Sequence, residues 1–352
     1  MAAGTLTFAP DVLRGYAQRL LVAGGFRSDD AAKTADLLVW ANLRGVDSHG
    51  VVRIPRYLEM VRLGMINTAA TPRLVRENGA VALIDGDLAP GATGMDFASR
   101  KAMETASYMG VGFCVGRNVT HAGSIGYFVH RIVETGLVGI VMTASKPLMA
   151  YPGTKGTALS TNPLAIGAPS ADAAEPIVLD MSTAAVALGK IMFARDAAQP
   201  IPAGWGVDAE GRATTDPAAV KALLPMAGPK GAGLSLMIEV LCSLLAGEPL
   251  IATALGGANP PGFNCLVIAI NPAAFGDPEE FLANVRSLAS AVHALPIATG
   301  ADAVLLPGER GRRTAIARAT TGIPLPRGTA ARLATLATEL GVDVPAGAAP
   351  AK

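Results

Sequence analysis

The sequence predicts an α/β (α+β) fold in which a mixed sheet forms the core and helices gather at the N-terminus. Three observations carry that expectation. Apolar residues recur at helical spacing through the N-terminal part; near residue 73 the pattern switches to short β-rich runs broken by glycine and proline; and helical stretches recur between those runs. At 51% hydrophobic and 16% charged, the 352-residue chain can also bury a large core.

Leu13, Tyr16, Leu20 and Leu21 share one helical face, and Thr34, Leu37, Leu38 and Ala41 share another, so two helices open the chain. Ser28 suits the N-cap of the second, Asp29 and Asp30 complement its dipole, and Gly45 suits its C-terminal stop. Pro55 is tolerated only in a first turn, which puts the regular start of a third helix at residues 52–54. Strands then follow at "AVALIDG", "VGFCVGR", "LVGIVMTAS", "EPIVLDMS" and "NCLVIAINP", with helices at "GMDFASRKAMETASYMG" and "GYFVHRIVETG". The apolar run at residues 232–247 contains Glu239 and is shorter than the roughly 20 residues that span a bilayer, so it reads as a buried helix. "QPIPAGWGVDAEGRATTDP" reads as a hairpin or ordered loop, and the tail "DVPAGAAPAK" as frayed. The expected division is a helical region at 1–72, a mixed-sheet cofactor and substrate core at 73–310, and a C-terminal segment at 311–352 packing back on the helices.

A net charge of +1 and the lack of a basic cluster interleaved with aromatics argue against a nucleic-acid partner. No basic region followed by an apolar stretch opens the chain, so a cytoplasmic location is expected, with no membrane partner. Cys114, Cys242 and Cys265 have no metal-ligand spacing and read as buried thiols; the four histidines form no HExxH or His-x-His pair, so no metal is expected. Neither GxGxxG nor GxxxxGK[ST] occurs, which removes the usual signals of a Rossmann site and a P-loop.

The chemistry concentrates in "ANLRGVDSHGVVRIPRY". His49 has an imidazole suited to proton exchange with an alcohol or carbonyl, Ser48 can steady it, and Arg53 offers the planar fork that grips a carboxylate. Together they suit a 2-oxo or 2-hydroxy acid. On residue types alone, a capped helix with a surface arginine is the favoured reading. A hydrolase with Ser48 as nucleophile lacks the GxSxG elbow. His121 precedes Gly123 and Gly126 at a helix start, where backbone N–H groups could meet an anion. His130 and His293 are assigned to surface or packing. Thr161 and Asn162, before a proline-fixed turn, could hold a polar substrate group, and Lys230 between glycines would suit a phosphate; a turn and a helix cap are the plainer readings.

Seven segments in register, "RGVDSHGVVRIPRY", "HAGSIGY", "STNPLAIGAP", "DMSTAAVALGKI", "GWGVDAEGRATTDP", "GPKGAGLSLMIEVL" and "LLPGERGRRT", resemble the malate/L-lactate dehydrogenase family over about residues 8–330. That family is distinct from the Rossmann-type lactate and malate dehydrogenases and includes ureidoglycolate, sulfolactate and 2,3-diketogulonate enzymes and cyclic ketimine reductases. The resemblance implies a non-Rossmann nucleotide-binding core, NAD or NADP as cofactor, a small carboxylate substrate and a homodimer. It implies that Ser48 and His49 handle the substrate proton, with His121 a second candidate, that Arg53 holds the carboxylate, and that Thr161 touches substrate. It further implies cofactor contacts at His121, Gly123, Ser124, Ile125, Ser145, Asp180, Met181, Ser182, Lys230, Gly231, Pro307, Gly308, Glu309 and Arg310.

Departures bear on the substrate. Ala122 and Ala232 stand where relatives often carry aromatics, and Lys190 stands where imine-reducing relatives carry an acid. An ammonium repels an iminium, so a C=O/CH–OH substrate is favoured over the alternative, a cyclic 2-imino acid. A non-catalytic binding relative is disfavoured because His49, Arg53, His121 and Lys230 are all kept.

Overall fold

The computed structural model describes residues 5–170 and 176–345. The N-terminal layer comprises β1 (Thr5–Phe8), α1 (Pro10–Ala23), α2 (Ser28–Leu43), two 3-10 turns (Asp47–His49 and Val51–Arg53) and α3 (Ile54–Arg62). Ser28 is the first helical residue of α2, not its cap: Arg27 occupies the cap position and no side chain bonds there. Gly45, at φ +78°, ends that helix with a left-handed residue, as expected.

The sheet region runs β2 (Arg73–Asn78), β3 (Val81–Asp85), α4 (Gly91–Met109), β4 (Val111–Val119), α5 (Gly126–Val133), β5 (Val138–Ala144), β6 (Leu164–Ala168), β7 (Ile177–Met181) and α6 (Leu188–Asp196). Then come β8 (Gly206–Val207), β9 (Ala222–Leu223), α7 (Pro229–Glu239), a π turn (Val240–Leu244), α8 (Ile251–Leu255), β10 (Phe263–Ile270) and α9 (Pro278–His293). The chain closes with α10 (Glu309–Thr321), β11 (Ile323–Pro326) and α11 (Arg327–Leu340).

Seven strands form one mixed sheet in the order β2-β3-β4-β10-β5-β6-β7. Within this sheet β3 and β4 pair in parallel, joined by the α4 crossover, and the other neighbours pair antiparallel. Strand periodicity sorts the core into two layers: Cys265, Val267 and Ala269 of β10 pack with α4 and α5, while Leu266 packs with Ile238 and Cys242 on the opposite face. All three cysteines are free and buried. The fold thus mixes helix and strand as expected, with the N-terminal helices on a core of their own. That core is shared with the C-terminal segment: β1 pairs with β11, and Leu333 and Leu336 of α11 join Leu13, Leu20 and Leu58.

One expectation is extended and one changes. In "STNPLAIGAP" the residues up to Pro163 are irregular, and β6 begins directly after it, with Gly167 where a Cβ would stand 2.4 Å from Val129 of α5. The 232–247 run is not a fully buried helix. It breaks into α7 and the π turn, and although Ile238, Cys242 and Ala246 are buried, Leu236, Met237, Leu244 and Leu245 are 40–56% exposed, because this chain covers only one face. The segment read as hairpin or loop contains β8, which pairs antiparallel with β9 just beyond its end. Of the tail read as frayed, residues 346–352 lie outside the described residues.

Candidate active site

A cleft of about 580 Å³ lies between the N-terminal helical layer and the sheet. Its wall includes Trp40 and Arg44 from the end of α2, His49 from the first 3-10 turn, the Gly123–Gly126 loop, Val178 to Ser182 of β7 and beyond, and the Pro307–Gly311 turn. Segments distant in sequence therefore meet there. Val178 N–H donates to Pro307 O at 3.1 Å, and a Cβ on Gly308 would stand 2.8 Å from Val178 O, so glycine lets this turn lie against β7.

Asp180 caps the N-terminus of α5: its Oδ2 accepts from Ser124 Oγ at 2.8 Å and from Gly126 N–H at 2.9 Å. A Cβ at Gly126 would lie 2.6 Å from that oxygen, so the cap requires glycine. Though open to the cleft, the carboxylate is recessed among protein atoms. Its loss of hydrating water pushes its pKa up, against the two hydrogen bonds and Arg44, which pull it down.

His49 and His121 stack with ring centroids 5.8 Å apart and planes at 19°. His49 Nδ1 lies 3.0 Å from Ser48 Oγ. Burial and the nearby Arg53 cation lower its pKa to about 4, leaving it neutral at pH 7. His121 Nδ1 accepts the Gly123 N–H at 3.2 Å, so the Tyr57 hydroxyl, 2.8 Å away, also donates to it and the ring proton sits on Nε2. Burial, then Arg53 and His49, push His121 well below its usual pKa; burial pushes Tyr57 up, so it stays a hydroxyl. Arg53 donates Nε to Ser48 O at 2.7 Å, and among the described residues its two terminal nitrogens make no protein hydrogen bond. A fork is thus left beside the imidazoles.

The other expected residues spread out. Thr161 O accepts from Thr183 N–H and Ser182 Oγ, tying its loop to the end of β7. Asn162 is fully buried, donating to Ser235 O at 2.9 Å and accepting from Ser145 N–H at 3.2 Å. Ser145 Oγ meets Ser160 Oγ at 2.6 Å. Lys230 and Gly231 open α7, off the cleft wall, joined to the β7 end through Met226 N–H to Thr183 O. Glu309 pairs with His293 at 2.8 Å in a smaller adjoining pocket. His130 bonds Glu134 at 3.1 Å and sits edge-on to Trp40. Lys190 is exposed on the first turn of α6, whose Gly189 faces Ser48.

Sequence reasoning missed Trp40, Arg44, Tyr57 and Thr314. An aromatic and an arginine one turn apart, closing a helix just before the reactive loop, were the available signal for the first two; Arg44 stacks over Trp40 at 5.0 Å.

The residues present fit a dinucleotide. The cleft, about 580 Å³, is walled by segments near residues 40–49, 123–126, 178–182 and 307–314, has apolar and backbone surfaces for rings, and carries Arg44 and Arg310 for phosphates. Among the described residues no group of three or more His, Cys, Asp or Glu stands together as a metal site, and no helix is long and apolar enough to cross a membrane.

Residues 8–334 match the family model for malate/L-lactate dehydrogenase. The malate/(S)-sulfolactate dehydrogenase of Methanothermus fervidus is 36% identical over 349 residues, covering 96% of this chain and 99% of that protein. A ureidoglycolate dehydrogenase (NAD(+)) of Escherichia coli O157:H7 is 35% identical over 303 residues, covering 85% and 86%. The solved sulfolactate dehydrogenase from Methanocaldococcus jannaschii shares the fold with a TM-score of 0.87 at 36% identity, over 96% of this chain and 98% of that one. Agreement of this length and depth, in sequence and in fold, shows that the chain belongs to the malate/L-lactate dehydrogenase family of NAD(P)-dependent 2-hydroxy acid dehydrogenases.

Proposed function

We propose that the chain interconverts a small 2-oxo carboxylate and its 2-hydroxy acid, with His49 carrying the proton. The single observation that supports this most is a neutral His49 at the cleft wall with the Arg53 cation beside it. Arg53 receives the carboxylate on its two terminal nitrogens and so sets the substrate oxygen near His49 Nε2. The bound dinucleotide supplies or takes up the hydride. In oxidation, His49 Nε2 takes the hydroxyl proton while Nδ1–H donates to Ser48 Oγ; in reduction, the imidazolium returns it. Ser48 Oγ accepts that Nδ1–H in both states, from the neutral ring and from the imidazolium alike. His121, with Nδ1 saturated by two donors, offers only an Nε2–H and acts as a hydrogen-bond donor to the substrate oxygen. That division separates the two histidines named by the sequence.

The wall residues from Gly123 to Ile125, Asp180 to Ser182, and Pro307, Gly308 and Arg310 hold the cofactor; the relative named for NAD(+) supports NAD, and NADP is the other arm of the assay. Lys190 supports an oxo acid over a cyclic imine. The exposed face of α7 and the π turn, together with α9, whose sixteen residues bury only Val285, supports a homodimer.

The test is a nicotinamide-absorbance assay of pyruvate, oxaloacetate and piperideine-2-carboxylate with each cofactor, on wild type and His49→Ala. We expect turnover with an oxo acid and a fall in kcat of about a hundredfold to ten-thousandfold in the variant, with cofactor affinity kept. Undiminished turnover by His49→Ala overturns the proton role; turnover of the imine alone overturns the substrate class.

A further inference from the structure

The turn bearing Ser48 and His49 is clasped from outside the cleft. Asn42, buried in the last turn of α2, donates Nδ2 to Asp47 Oδ1 at 2.7 Å and accepts the Val51 N–H on Oδ1 at 2.9 Å. One carboxamide thus holds both ends of the five-residue segment. The segment lies flat against it: a Cβ at Gly50 would fall 2.1 Å from Asn42 Oδ1. From the other side Arg318, near the end of α10, donates to both oxygens of Asp47 at 2.7 and 3.1 Å and also to Asn42 O. Three groups therefore close a ring of hydrogen bonds, and none of the three lines the cleft. Arg318 is distant by 276 positions from the carbonyl it meets.

We infer that Arg318 and Asn42 are positioning residues for the reaction, acting through Asp47 to hold the Ser48–His49 pair. This rests on the reading of His49 as the proton carrier. A 3-10 turn has few internal bonds to fix it, so its orientation is set by such outside partners. The guanidinium suits the task because its planar fork spans a carboxylate and still reaches a third acceptor, which an ammonium cannot do.

The test uses full-length Arg318→Gln, Arg318→Lys, His49→Ala and the Arg318→Gln/His49→Ala double variant, with an oxo acid the wild type turns over. Arg318→Gln is expected to lower kcat at least tenfold, with the KM for dinucleotide within twofold of wild type. Arg318→Lys should recover only part of the loss. In the His49→Ala background, Arg318→Gln should cost nothing more, because the residue it positions is gone. An unchanged kcat in Arg318→Gln, or an equal fold loss in both backgrounds, overturns the inference. Should Arg318→Gln not fold, Asp47→Asn is read in its place by the same criteria, alone and with His49→Ala. His49→Ala alone reports separately on the proton role, since failure there leaves its kcat intact.

Discussion

His49 is held neutral by burial and by the cation beside it, and the sign of that effect fixes its pH behaviour. The folded pKa of about 4 lies below the ordinary imidazole value of 6.5, so the unfolded chain binds more protons between them and stability contributed by the neutral ring falls as pH drops through that window. In the proposed role of His49, oxidation needs the neutral ring. Its kcat/KM should therefore be flat near pH 7 and decline as pH falls through about 4, while kcat/KM for reduction should decline as pH rises above that value. A reductive profile flat from pH 5 to 8 would remove His49 from the proton path. Arg53 acts on both quantities. Arg53→Lys should raise KM for the acid by tenfold or more while changing KM for dinucleotide little, because a point charge replaces a two-pronged contact; initial rates across substrate concentrations decide it.

At the scale of elements, glycines let backbone and side chains approach where the site needs them. Gly50→Ala drives a methyl into Asn42, and an overpacked contact of that kind costs about 1–3 kcal/mol. A lowered thermal midpoint, with a larger fold loss in kcat than in cofactor binding, is the expected outcome; calorimetry and steady-state rates check it. The same scale shows how far a sequence can be read. β4 and β10 were legible because the runs through Cys114 and Cys265 are β-rich, apolar and bounded by turns. β2 was not, since every residue from Arg73 to Asn78 is exposed and shows no alternation. β1 and β11 gave no signal either: each is four residues long, and the partner that makes it a strand lies at the other end of the chain. For the site, Ser48, His49 and Arg53 were visible as reactive types within six positions, but the cofactor-contacting set came from family resemblance, not from spacing. The clasp by Arg318 was illegible, because no local pattern marks a contact between residues 47 and 318.

At the scale of the molecule, the apolar face left open on α7 and the π turn is where a second copy would dock. Met237→Glu places a charge there and should convert a dimer to monomers at micromolar concentration, read by light scattering after gel filtration; a wild-type monomer would contradict the dimer. The order of the sheet has another result. Its middle strand, β10, begins only at Phe263, and it separates two strands, β4 and β5, made far earlier. During synthesis those two emerge with facing rows of unsatisfied amides and carbonyls, and no local neighbour can fill the space. A nascent chain stalled before residue 263 would thus expose two sticky borders until β10 arrives to fill the gap between them.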